Sequence, residues 1–132
     1  MKEPRWLNVL VWTASVLMAA LFTAASLPKL TGAQQMVDHF AHWGFPDWFR
    51  IVVGVLELGC SVGLLVPRVA AIAASGIVVL MLGATYTHAV LAPEEVGRVG
   101  FTLTLVVVAA GVAYARWSRL GLQVPHLFQK EA

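Results

Sequence analysis

The chain has a single cysteine, Cys60, among its 132 residues. An internal disulfide, a Cys-x-x-Cys redox pair and a four-cysteine cluster site are thereby excluded. Charge is scarce as well: Asp, Glu, Lys and Arg supply 12% of the chain, while 59% is hydrophobic. A soluble domain carries roughly 25% charged residues. So few charges cannot cover a water-facing surface. There is no Gly-rich phosphate loop, no His-Glu-x-x-His and no Gly-x-Ser-x-Gly. The formal charge of +2 comes without a basic patch interleaved with aromatics, so nucleic acid is not an expected partner. Period-two alternation is missing too, which argues against a membrane β-barrel.

What is present is apolar sequence in long runs. Four spans are expected, at about 7–27, 48–66, 69–92 and 99–117. A run of about 20 residues at 1.5 Å per residue crosses the ~30 Å hydrocarbon core. The first run has basic residues before it and Ala24-Ala25-Ser26 near its end, as a signal peptide would. It is longer than a usual signal-peptide core and further spans follow, so a retained span is the better reading. Pro67-Arg68 and Pro93-Glu94-Glu95 make short turns. The longer link between the first two spans holds Met36, Phe40 and Trp43 at helical spacing, broken at Gly44 and Pro46. It reads as a short amphipathic helix lying at the interface. Trp6, Trp43, Trp48 and Trp117 fit interfacial belts, and Trp12 packs or faces lipid. The expected fold is all-α: an integral membrane four-helix bundle in one domain over 1–132.

Lys and Arg counting sets the expected orientation. Lys2, Arg5, Arg68, Arg116, Arg119 and Lys130 fall on one side, and Lys29, Arg50 and Arg98 on the other. The excess places both termini in the cytoplasm. The short stem of the fourth span is extended to the interface by Arg116 and Trp117.

Glu57 is the most informative residue. A charged side chain at a helix centre costs roughly 2.5–3.5 kcal/mol on insertion scales for Asp, Lys or Arg, so it faces the bundle interior. Gly54, Cys60 and Ser61 share its face, and Gly59 with Gly63 makes a small-residue step on the next. Cys60 itself reads as a small packing residue. Glu57 falls about 9 Å, and His88 about 6 Å, below the outer ends of their helices. Lys29 and Arg98 lie at the same level. The candidate binding residues are therefore Lys29, Glu57, His88 and Arg98, with Met81 and Thr85 on the face of His88. Lys29 is expected to contact Glu57, and His88 to exchange a proton with it. A polar clamp that only fixes helix register weighs evenly against a pocket open to the outer face. No catalytic residue is assigned. His39 and His42 lack a third ligand, so no metal is expected; His126 belongs to a solvated tail.

Several pieces, in order, resemble the DoxX family of small four-helix membrane proteins. They are Leu27-Pro28-Lys29-Leu30, Gly44-Phe45-Pro46, Gly54 with Glu57-Leu58, Leu64-Leu65-Val66-Pro67-Arg68, and Met81, Ala84 and His88. Together they cover about residues 15 to 92. The resemblance implies a multi-pass protein of the bacterial cytoplasmic membrane. It also implies association with quinone-linked sulfur oxidation, terminal oxidases or redox assemblies against oxidative stress. Lys29, Glu57 and His88 are the positions carried over.

The leading expectation is an accessory or quinone-interacting subunit of a membrane redox system. Quinone is the one cofactor considered, and redox enzyme subunits, the lipid bilayer and a second copy are the expected partners. The alternatives are a small proton-coupled transporter using Glu57 and a structural assembly factor. The isolated chain has no cluster ligands, flavin motif or paired thiol for electron transfer, and enzyme activity is not expected of it alone.

Overall fold

A computed structural model describes the backbone of residues 3–128 and the side chains of residues 3–120. Lys2, Lys130 and the side chain of His126 lie outside them. Helix α1 runs Arg5–Thr31, α2 Gln34–His42, α3 Asp47–Leu64, α4 Ala70–Tyr86 and α5 Val99–Phe128. A π-helical turn, Thr87–Leu91, continues α4, and a 3₁₀ turn, Pro93–Arg98, leads into α5. No strand forms among the described residues.

Three helical stretches are long and apolar enough to cross a membrane: Arg5–Thr31, Ala70–Leu91 and Pro93–Leu120. Four were expected. The exception is α3, whose 18 residues carry Asp47, Arg50 and Glu57. Arg50 and Glu57 point into the bundle, where both are buried, while Asp47 stays exposed at the start of the helix.

Helix α1 is also longer than expected. It does not stop at Pro28 but carries it inside the helix and ends at Gly32. Gly32 adopts φ 73°, a left-handed cap that glycine reaches without strain. The extension puts Lys29 within the last helical turn, so its side chain is aimed by helix geometry. Gly44 turns the chain at φ 85° after α2, and Pro46 precedes α3. Together they end the amphipathic helix where the sequence predicts.

The packing follows residue size. Helix α1 lies on α3, α3 on α4, and α4 on α5, while α1 and α5 make the sparsest of the four contacts between adjacent long helices. The core gathers Val11, Met18 and Phe22 of α1 with Leu64, Ile77, Met81, Ala109 and Val112. Side chains such as Val9, Leu17, Val79 and Val107 point outward, as lipid-facing residues do. Of the predicted small-residue step, Gly63 meets Ala73 at the α3–α4 crossing, but Gly59 is exposed with nothing near it. Gly76, against the Cys60 sulfur, supplies the second close approach.

Candidate functional site

One stripe of α3 builds the site. Arg50, Gly54, Glu57 and Ser61 recur at helical spacing and all four are buried. The stripe faces the end of α1. Gly54 allows the approach: a Cβ placed there would stand 3.0 Å from Leu30 and 3.1 Å from the Lys29 Cβ. With the helices this close, Lys29 Nζ reaches Glu57 Oε2 at 3.0 Å. The two side chains are 14% and 5% exposed, so the ion pair is shielded from both water and lipid. Lys29 Nζ also donates to the Ala25 carbonyl at 3.0 Å.

Two turns above, Arg50 donates to both carboxylate oxygens of Asp47, at 3.1 and 3.3 Å. Its third contact is the Lys29 carbonyl at the C-terminus of α1. A cation there meets the negative end of the helix dipole. In the sequence Arg50 stands out only as a topology marker. The available signal was its spacing: seven residues before Glu57, on the same helical face. Asp47, Arg50, Lys29 and Glu57 carry two charges of each sign, so this polar column is neutral.

His88 departs from the expected arrangement. It makes no hydrogen bond to Glu57. Its Nδ1 lies 2.8 Å from Glu95 Oε2. The π-helical turn rotates the chain at His88, and the short 3₁₀ segment brings Glu95 back over it. The same carboxylate oxygen accepts from Trp43 Nε1 at 3.2 Å, and the Trp43 ring stands edge-on to His88 with centroids 5.5 Å apart. Glu95 and Trp43 are thus site neighbours that the sequence reading passed over as a turn residue and an interfacial anchor. Nothing in their spacing joins them, 52 residues apart.

The remaining candidates scatter. Arg98 is half exposed, with Nη1 4.0 Å from Glu95. Thr85 donates to the Met81 carbonyl and shares a hydrogen bond with Thr102 at 2.8 Å. Met81 belongs to the apolar core. Of the six candidates, Lys29 and Glu57 pair, His88 and Arg98 share Glu95 as a neighbour, and Met81 and Thr85 stand apart from both groups.

Helix α2 roofs this end of the bundle. Phe40, buried, packs with Trp43, Phe45 and Phe49. His39 stacks on Trp43, and His42 pairs with Glu94. These histidines have separate partners, and no group of three metal-ligating side chains lies together among the described residues. The Glu94 hydrogen bond and charge hold the His42 imidazole above its ordinary pKa.

A family model for the DoxX-like family matches residues 13–112, a stretch that includes α2, all of the polar stripe, His88 and Glu95. The chain belongs to the DoxX-like family. It is also 33% identical over 85 residues to the uncharacterized protein YdgD of Bacillus subtilis strain 168, covering 61% of this chain and 75% of that one. No solved structure matches. The match reaches well into α5, a helix whose sequence looks generic. With three apolar crossing helices, this DoxX-like chain is a multi-pass membrane protein.

Proposed function

We propose that this DoxX-like protein is an accessory, quinone-interacting subunit of a membrane redox system in the cytoplasmic membrane. Its single membrane domain crosses four times, with α3 as the fourth span and both termini inside. The observation that carries the reading is the buried Lys29–Glu57 pair beneath the aromatic roof of α2. Burying two charges costs several kcal/mol per ion, and apolar replacements of the same volume are often at least as stable. An ion pair retained inside a membrane bundle is therefore a functional hypothesis by default.

The chemistry suits a quinone. The Lys29 ammonium has three protons, two of them committed to Ala25 and Glu57. The third can donate to a quinone carbonyl. The Glu57 carboxylate can accept from a quinol hydroxyl. An aromatic roof of Phe40, Trp43, Phe45 and Phe49 offers ring faces for a flat headgroup. The protein would hold and orient the headgroup, and the redox partner would carry the electrons.

The test uses the full chain in nanodiscs, titrated with a short-chain quinone while tryptophan fluorescence is followed. Quenching that saturates, and that weakens about tenfold or more in Glu57→Gln and Lys29→Gln, supports the reading. Glu57→Gln that folds and binds as the parent does, or a parent that shows no saturable quenching, rejects it. Proton-coupled transport by Glu57 would instead appear as quinone-independent proton movement in liposomes, abolished by the same variant.

A further inference from the structure

The opposite end of the bundle, where α1 begins, holds a buried cation that the polar column does not use. Arg116 of α5 is 5% exposed. Its place at the end of an apolar run predicts a stem extended to the interface, but it turns inward and crosses to α1. Its guanidinium carbon stands 4.5 Å from the Trp12 ring centroid, which settles the place of Trp12 as well. Its Nη2 lies 3.4 Å from the Ser15 hydroxyl, a long contact. Its Nε has no partner among the described residues, and it makes no salt bridge there. Ser15 spends its own proton on the Val11 carbonyl at 2.7 Å. Arg119, one turn on, is a second cation, and its Nε is taken by Glu3 at 2.8 Å. Glu3 is the one described acid at this end, against Arg5, Arg68, Arg116 and Arg119.

A buried guanidinium without an anion is expensive. A cation–π contact offsets only part of that cost. The location says which anion can reach it. Arg116 lies in the α1–α5 seam, the sparsest of the four contacts between adjacent long helices. Beside it on α1, Trp12, Thr13, Val16 and Leu17 line an open, mostly apolar groove of about 310 Å³. Trp12 sits about 10 Å along α1 from Arg5 and about 7 Å inside the first span, at acyl-chain depth in the half nearer that end.

We propose that the α1–α5 seam binds an anionic phospholipid, with the phosphate on Arg116 and an acyl chain along the Trp12–Leu17 groove. Arginine suits a phosphate through paired N–H donors. The lipid would complete the seam by supplying the missing negative charge. The site is independent of the quinone reading and lies at the other end of the fold.

The experiment measures thermal unfolding of the full chain in nanodiscs of phosphatidylcholine, with and without phosphatidylglycerol, together with lipid retention by native mass spectrometry. Phosphatidylglycerol should raise the midpoint and stay bound to the parent. Arg116→Gln should lose most of that shift and bind the lipid about tenfold or more weakly. Arg68→Gln, which removes an exposed charge from the same end, should keep the shift. An equal loss in Arg68→Gln, an undiminished shift in Arg116→Gln, or the same shift from inorganic phosphate without lipid would each overturn the site. If Arg116→Gln does not accumulate, Trp12→Leu decides. It keeps the cation but removes the ring that seats it, and an unchanged lipid shift in that variant also overturns the proposal.

Discussion

The two ends of this bundle handle buried charge differently. At the α2 end, Lys29 meets Glu57, and Arg50 meets Asp47 and the α1 terminus. Every cation there has an acid supplied by the chain itself. At the end where α1 begins, Arg116 rests on an aromatic ring and a hydroxyl, with no acid partner among the described residues. The first arrangement is closed in charge and fixes the α1–α3 contact. The second has no matching acid among the described residues and lies in the sparsest seam between adjacent long helices. A bundle can therefore be stiff at one end and depend on its surroundings at the other.

The largest effect should come from unbalancing the closed end. Glu57→Leu leaves Lys29 buried without its partner, and losses of about 3–5 kcal/mol accompany such a break. The expected outcome is a steep fall in the thermal midpoint and in folded yield from mild detergent. Lys29→Met combined with Glu57→Leu should recover much of the loss, because no charge is then stranded. If the double variant is no better than the single one, the pair is not the source of the cost.

A smaller loss should follow from crowding the helix crossings that set this geometry. A Cβ at Gly76 would meet the Cys60 sulfur at 2.8 Å. Overpacking costs typically about 1–3 kcal/mol, so Gly76→Ala should lower stability by that order. Cys60→Ala in the same chain should restore most of it. Gly54→Ala is the sharper case for the site, since Leu30 and Lys29 both stand against it. It should weaken the α1–α3 contact, and Lys29 should become more reactive toward an amine reagent as the pair opens. Gly59→Ala, with open space around it, should change nothing measurable.

These cases show how far the sequence could be read. Apolar run length located the helices, because a membrane solvent demands apolar length. Lys29 and Glu57 were legible for the reverse reason: an ionisable group among apolar residues has few places to go. The helix continuing through Pro28 was less legible, since proline usually marks an end and the Gly32 cap outweighs it here. Arg50 and Arg116 are illegible for one shared reason. Both lie at the edge of an apolar run, where topology signals also sit. Only the fold shows that their side chains turn inward, Arg50 to the end of α1 and Arg116 to Trp12. Glu95 was hidden because its partners, His88 and Trp43, come from segments that a π-helical turn and a roof helix bring together. No one-dimensional period records such a meeting.

The smallest effect concerns the rim of the roof, where His42 and Glu94 are both exposed. The carboxylate favours the charged imidazole, so the folded-state pKa of His42 lies above its ordinary 6.5. The sign follows from linkage. A raised histidine pKa contributes stability that is fully present below the unfolded value. That contribution disappears as pH rises through the folded value. Helix α2 should accordingly sit tightest on the Pro93–Arg98 turn below about pH 6.5 and loosen as His42 loses its proton. Solvent screens such a pair, so the global midpoint should hardly move with pH on its account. An NMR titration of His42 reads the effect directly. Glu94→Gln should return its pKa toward 6.5 and abolish the pH dependence of α2 amide exchange. A His42 titration unchanged by Glu94→Gln would show that the rim pair does not form, leaving Trp43 and His88 on Glu95 as the fastening of the roof.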